Sequence, residues 1–182
     1  STARIGDSVP TATHSLDVWM LSKLFATHKE VTEQMDRYNT AKTGRAISEL
    51  VTELSTWFVR RSRDRMKAGT SESQEALAVF GFTLVEISKM LAPLMPYLSE
   101  QIYRDLTGQQ SVHLAKWSEV REYRQSSLQE MDAVRSLVEL GLSLRKEQNL
   151  KVRQPLGELQ YSLGDTLGDD NQSLDAGLEA IL

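Results

Sequence analysis

Leu21, Leu24, His28, Val31, Met35 and Tyr38 recur at alternating spacings of 3 and 4. That period lines up one face of an amphipathic helix over 16–38. Ser15 is placed to cap it, and Asp17 suits the positive end of its dipole. "YNTAKTG" then supplies a turn, with Asn39 or Thr40 as the next cap. A second helix carries Ile47, Leu50, Val51, Leu54, Trp57 and Phe58 on one face and ends near Gly69. So short a link predicts antiparallel neighbours.

Ser71 with Gln74 fits a capping box for a third helix, whose apolar stripe is Leu77, Phe80, Leu84, Ile87 and Leu91. "APLMP" interrupts it, because Pro93 and Pro96 each remove a donor and crowd the preceding turn. Pro96 can instead open a fourth helix, "YLSEQIYRDL", which Gly108 ends. "QQSVHLAKWSEV" reads as a loop with an extended piece. Ser127 with Glu130 forms a second capping box, opening a fifth helix to about Gln148 with Met131, Val134, Val138 and Leu142 inward. Asn149 is placed to close it. The pattern then changes: Pro155 halts any helix, and Leu159, Tyr161 and Leu163 alternate like a strand. "SLDAGLEAIL" starts another helix whose partner surface the chain does not continue to provide.

The expected class is therefore mainly α: an extended lead-in over 1–15, a helical bundle over 16–150, and the cut-short start of a small α/β unit over 151–182. The chain's 182 residues, 40% hydrophobic and 25% charged, suit one soluble domain with an appendage. No apolar run approaches the roughly 20 residues that span a bilayer, and no leader pattern is visible at the start. The absence of cysteine excludes disulfides, a thiol nucleophile and cysteine-ligated zinc, and fits a reducing compartment.

Charge is distributed unevenly. From Glu158 onward come six acids and no Lys or Arg, so the preceding part carries +2 within a net charge of −4. Of that, "WFVRRSRDRMK" (57–67) alone holds five cations against Asp64. A cationic run confined to one helix end has the form of a binding patch.

At about 100° per residue, Arg61 and Arg65 continue the apolar stripe of Leu54 and Phe58, whereas Arg60, Arg63 and Lys67 fall on the opposite side. Two readings fit the outer three: a solvated face complementing the helix dipole, or a phosphate cradle, since cations at i, i+3 and i+7 can follow a nucleic-acid backbone. Two also fit the inner pair: snorkelling or pairing with an acid on a neighbouring helix, or guanidinium forks presented at the domain edge. Trp57 is a possible base-stacking surface, although the stripe already explains it as core. Lys151 and Arg153 form a second basic spot beside Pro155, equally readable as a structural turn.

No site of chemistry emerges from the chain's own residues. His14, His28 and His113 lack metal-ligand spacing, and His28 sits on an apolar stripe as a half-buried core residue. There is no Gly-rich phosphate loop, no G-x-S-x-G elbow and no EF-hand spacing.

Several stretches together resemble the isoleucyl-tRNA synthetases: "LDVWMLSKL" (16–24), "WFVRRSRDR" (57–65), "LAPLMPYLSEQIY" (91–103), "SVHLAKW" (111–117) and "KVRQPL" (151–156). The proline-containing and "SVHL..W" motifs are shared with the valine and leucine enzymes; "WFVRRSRDR" and "KVRQPL" point more narrowly to isoleucine. The resemblance implies the helical anticodon-binding domain of a class I synthetase. Its parent would join isoleucine to tRNA(Ile) using ATP and Mg²⁺ in the cytoplasm, with catalytic and editing domains elsewhere in the chain. No cofactor is implied for this segment, and "SKML" (88–91) is not the family's Lys-Met-Ser-Lys-Ser signature. Arg60, Arg61, Arg63, Arg65, Lys67, Lys151 and Arg153 are the expected tRNA contacts. The alternatives are the same domain of a valyl- or leucyl-tRNA synthetase, or a helical protein–protein scaffold.

Overall fold

The computed structural model of the chain describes residues 5, 6 and 8–154. Among these residues the regular structure is helical, without a strand. The described chain divides into two compact units, Ser1–Arg124 and Gln125–Leu182.

Helix α1 is Ser15–Asp36. Its cap is His14 rather than Ser15: Nδ1 of His14 accepts from the Leu16 N–H at 3.2 Å. That nitrogen stands as many bonds from Cβ as the capping oxygen of Asn, and Ser15 is already the first helical residue. Leu21, Leu24, His28 and Val31 are buried as the period requires. Tyr38 is not. It lies beyond the helix with φ 53° and is 92% exposed. The Tyr38 N–H donates to Met35 O and the Asn39 N–H to Gln34 O, both at 2.9 Å, which is the paired closure of a Schellman motif. The Asn39 side chain then accepts from Lys42 N–H at 3.2 Å. One residue thus closes α1 and opens the next helix, as one of the two expected caps.

The second helix is α2, Thr40–Glu53, continued by a π-helical segment at Leu54–Val59 and by α3, Arg60–Lys67. Ile47, Leu50, Leu54, Phe58 and Ser62 are its buried residues along one line. Their spacings of 3, 4, 4 and 4 carry the imprint of the π segment, whose i→i+5 bonding takes up an extra residue. Val51, expected on this face, is exposed at its edge. Gly69, with φ 72°, ends the rod where a side chain would be strained.

Helix α4 is Ser71–Leu91. Its capping box uses Thr70 and Ser73 rather than Ser71 and Gln74. Thr70 Oγ1 accepts from Ser73 N–H at 3.3 Å, and Ser73 Oγ accepts from Thr70 N–H at 3.1 Å. The register moves because Thr70 is the extended residue after the Gly69 turn. The expected stripe is also displaced: Leu77 is exposed and Phe80, Leu84 and Leu91 are only partly covered, while Ala76, Val79, Phe82, Val85, Ile87 and Met90 are buried. α4 packs against α1, α2, α3 and the next helix, and a helix covered on several sides has no single apolar face.

Helix α5 is Pro96–Thr107, with Pro96 at its start and Gly108 (φ 69°) closing it, as read from the sequence. The lead-in returns here. The Ile5 N–H donates to Leu106 O at 3.1 Å, and Ile5 packs with Val85, Tyr103 and Val112. A Cβ at Gly81 would collide with Ile5 Cδ1, so the glycine makes room for this strap.

The loop after α5 contains a 3₁₀ turn at Val112–Leu114, set between the extended residues Ser111 and Ala115. It is tied down at several points. The Glu100 carboxylate accepts from the Val112 N–H at 2.8 Å and from Ser111 Oγ at 2.9 Å. The Val112 bond above all holds its carboxyl below the usual carboxylate range. Trp117 Nε1 donates to Thr32 Oγ1 at 3.1 Å, and its ring lies 5.4 Å from that of His28. Lys89 pairs with Glu86 at 2.9 Å in a buried position and reaches Ser118 Oγ at 3.5 Å.

In the second unit, α6 is Gln125–Glu147, starting before the expected Ser127–Glu130 box, so Ser127 lies within its first turn. Met131 and Val134 are buried, Val138 is half-buried and Leu142 is exposed. Asn149 closes the helix as expected: at φ 53° its N–H donates to Lys146 O, and the Leu150 N–H to Arg145 O. Pro155, the strand expected at 159–163 and the final helix lie outside the described residues.

Burial holds the His28 imidazole below its ordinary 6.5; Glu86 opposes this, while Lys89 and Arg121 reinforce it. The folded chain therefore keeps His28 neutral where the unfolded chain binds a proton. The sign follows: stability falls as pH drops below about 6.5 and stops falling once the folded imidazole also protonates. Urea unfolding at about pH 7.5 and about pH 5.5 should show a larger loss for the native chain than for His28→Gln. An equal loss would remove His28 from the acid response.

Candidate nucleic-acid interface

The basic run occupies α3, and the preceding π segment decides where each cation points. Counted as an uninterrupted α-helix, the stripe runs from Phe58 into Arg61. The extra residue taken up by the π segment hands that position to Ser62, which is fully buried. Arg61 is turned out into solvent, a correction to its expected inward placement. Its guanidinium lies 5.7 Å from the centre of the half-buried Trp57 ring, a cation–π contact one turn back along the helix.

Arg65 does face inward. Its Nη1 and Nη2 donate to Oδ2 and Oδ1 of Asp17 at 2.7 and 2.5 Å. Nη2 also reaches Ser62 Oγ at 3.2 Å, and the Arg65 carbonyl accepts from Ser73 Oγ at 2.6 Å. The Asp17 side chain is 0% exposed and that of Arg65 12%. Of the readings open for Arg65, pairing with an acid on a neighbouring helix is the one the geometry realises. The forked match fits guanidinium to carboxylate with two parallel bonds. It also shows that the end of α3 lies beside the start of α1, so the two rods run antiparallel.

Arg60, Arg63 and Lys67 are exposed, on the side opposite the buried line. Arg65 and Lys67 occupy the last turn, where cations complement the helix dipole. α3 therefore presents four outward cations and retains one for its own anchorage. Lys151 and Arg153 are exposed in the second unit. They lie on a short turn whose Lys151 and Gln154 carbonyls accept from Arg145 Nη1 at 3.1 and 2.8 Å. Among the described residues no cluster of His, Asp or Glu side chains is arranged to hold a metal ion, and no helix is long and apolar enough to cross a membrane.

Sequence reasoning gave Asp17 only a dipole role. Its partner was foreshadowed by position, for Asp17 precedes Leu21, Leu24 and His28 on the same buried stripe, and a carboxylate there needs a cation. A cleft of about 240 Å³ beside Trp117, lined by Lys89, Ala92, Pro93, His113 and Lys116 among others, was not foreseen at all.

The profile of the anticodon-binding domain of tRNA ligases matches residues 17–160. The chain is 45% identical over 148 residues to isoleucine–tRNA ligase 2 of Bacillus thuringiensis subsp. konkukian, covering 79% of the chain and 14% of that protein. It is 40% identical over 163 residues to isoleucine–tRNA ligase of Porphyromonas gingivalis, covering 84% and 14%. Identity to the Cutibacterium acnes enzyme is 35% over 180 residues, covering 94% and 16%. The chain belongs to the family of anticodon-binding domains of tRNA ligases. It spans about one-seventh of the length of the curated relatives it matches.

Removing one partner of the buried pair should leave the other charge uncompensated. Arg65→Met should cost about 3–5 kcal/mol in urea unfolding, and adding Asp17→Asn should restore part of that loss. If the double variant is as unstable as the two losses added, Asp17 and Arg65 are not coupled.

Proposed function

We propose that this chain grips the anticodon stem and loop of tRNA(Ile) within a longer isoleucine–tRNA ligase. The observation that carries the reading is an outward cationic face, Arg60, Arg63 and Lys67, on a domain of the anticodon-binding family. The role is positional. Cations along one helix side neutralise successive phosphates and fix the RNA's register without reading its bases. The distant acceptor end is thereby placed in a catalytic domain, where ATP and Mg²⁺ supply activation of isoleucine. That work belongs to the cytoplasmic parent. The names of the relatives favour isoleucine over valine or leucine, and family membership favours RNA over a protein scaffold partner.

Within this reading the cations divide their work. Arg60, Arg63 and Lys67 take phosphates. Arg61, laid on Trp57, offers a guanidinium and an aromatic ring to an unstacked base. Arg65 serves as a positioning residue, holding α3 at the angle at which the others meet the RNA. Lys151 and Arg153 offer a second phosphate contact.

In the full-length ligase, changing Arg60, Arg63 and Lys67 to Ala should abolish most tRNA-dependent charging and leave isoleucine-dependent ATP–pyrophosphate exchange intact. The slope of log affinity against log salt should become shallower by up to about three units, less where the contacted RNA is single-stranded. Equal loss of both activities would refute the positional role.

A further inference from the structure

The cleft beside Trp117 lies within the first unit, away in sequence from the basic run. Ala92, Pro93, Val112 and Ala115 give it short apolar walls, and Lys89, His113, Lys116 and Trp117 complete its lining. Among the described residues no carboxylate lines it; Glu86 is bonded to Lys89 behind the wall. Its volume of about 240 Å³ falls just below the roughly 300–1,000 Å³ typical of drug-sized pockets, which suits a single ring system.

The indole is what makes this a built site. Trp117 is fixed by its bond to Thr32 and by the His28 ring, yet it remains 40% exposed. An aromatic side chain locked in orientation and left open to solvent is a preorganised stacking surface. The loop that carries it is equally fixed, by Glu100 on Ser111 and Val112 and by Lys89 on Ser118. Lys116 and His113 are exposed on the same short segment. A rigid flat wall, small apolar neighbours and adjacent cations match a planar base joined to a phosphate. They do not match a flexible carboxylate side chain, which would leave the indole bare.

We propose that this cleft binds one nucleotide, its base against Trp117 and its phosphate on Lys116, with His113 beside it. The nucleotide is either free in solution or an unpaired residue of a bound RNA; the second source rests on the tRNA reading above, the first does not.

Fluorescence of the 182-residue chain, titrated separately with AMP, UMP and a tRNA transcript, tests this. Saturable quenching that disappears in Trp117→Phe and weakens about tenfold in Lys116→Ala is expected, since a charge-assisted phosphate contact is lost. Lys116 is exposed, so its variant folds normally even if Trp117→Phe loosens the loop. Trp57 also meets RNA in the tRNA reading, so only the quenching that Trp117→Phe removes is counted: with AMP or UMP it identifies a free nucleotide, and with the transcript alone an unpaired RNA residue. Either supports the site. No Trp117-dependent quenching by any of the three, or Trp117-dependent quenching indifferent to Lys116→Ala, overturns it. Filter retention of the transcript separates the two readings. Retention without a Trp117 signal leaves the tRNA reading standing and removes the cleft. Quenching by mononucleotide without retention does the reverse.

Discussion

The buried pairing of Asp17 with Arg65 governs the arrangement of the first unit. A carboxylate with no exposure to water is tolerable only when a cation meets it with good geometry, and the two parallel bonds from Arg65 supply that. The pair joins the first turn of α1 to the last turn of α3. With Asn39 holding the far ends of the same two rods together, the hairpin is clamped at both ends. Ser73 then fastens the start of α4 to the Arg65 carbonyl, so the third rod takes its place from the same residue.

Much of this was legible in the sequence because it follows from local chemistry. Gly69, Gly108 and Asn149 at rod ends take a left-handed backbone state that few residues accept easily, Asn39 caps α2 with its side chain, and Pro96 lacks the N–H that a first helical residue does not need. The stripe of α1 was visible because Leu21, Leu24, His28 and Val31 are buried in unbroken period, although Trp19, Met20 and Ser22 are buried beside it. α4 defeated the same reasoning: surrounded by neighbours, it buries Val79, Phe82, Val85 and Met90 and exposes Leu77, and no period separates the two sets. Caps at His14 and Thr70 were missed by one residue each, since several neighbouring side chains could serve and backbone direction chose among them.

The cationic face shows the same limit more sharply. Which residues are charged is written in the sequence; which way they point depends on a π segment that no period reveals. Ser62 was the overlooked sign. A small polar residue amid arginines is where a line of packing can pass through a basic run, and it is Ser62, not Arg61, that is buried. The cleft beside Trp117 was beyond reach for another reason: it is assembled from α4, the bend after it and the 111–117 loop, segments that only the folded chain brings together.

The π segment at Leu54–Val59 acts as a phase shift between two parts of one continuous rod. Upstream, the rod's orientation is set by apolar packing; downstream, by the Asp17 clamp; the shift reconciles the two. Facing is therefore not free in this helix. One residue gained or lost there would turn every cation beyond it by about 100°, Arg65 included, and take Arg65 off the buried Asp17, so the aim of the basic face is locked to the clamp that holds the core.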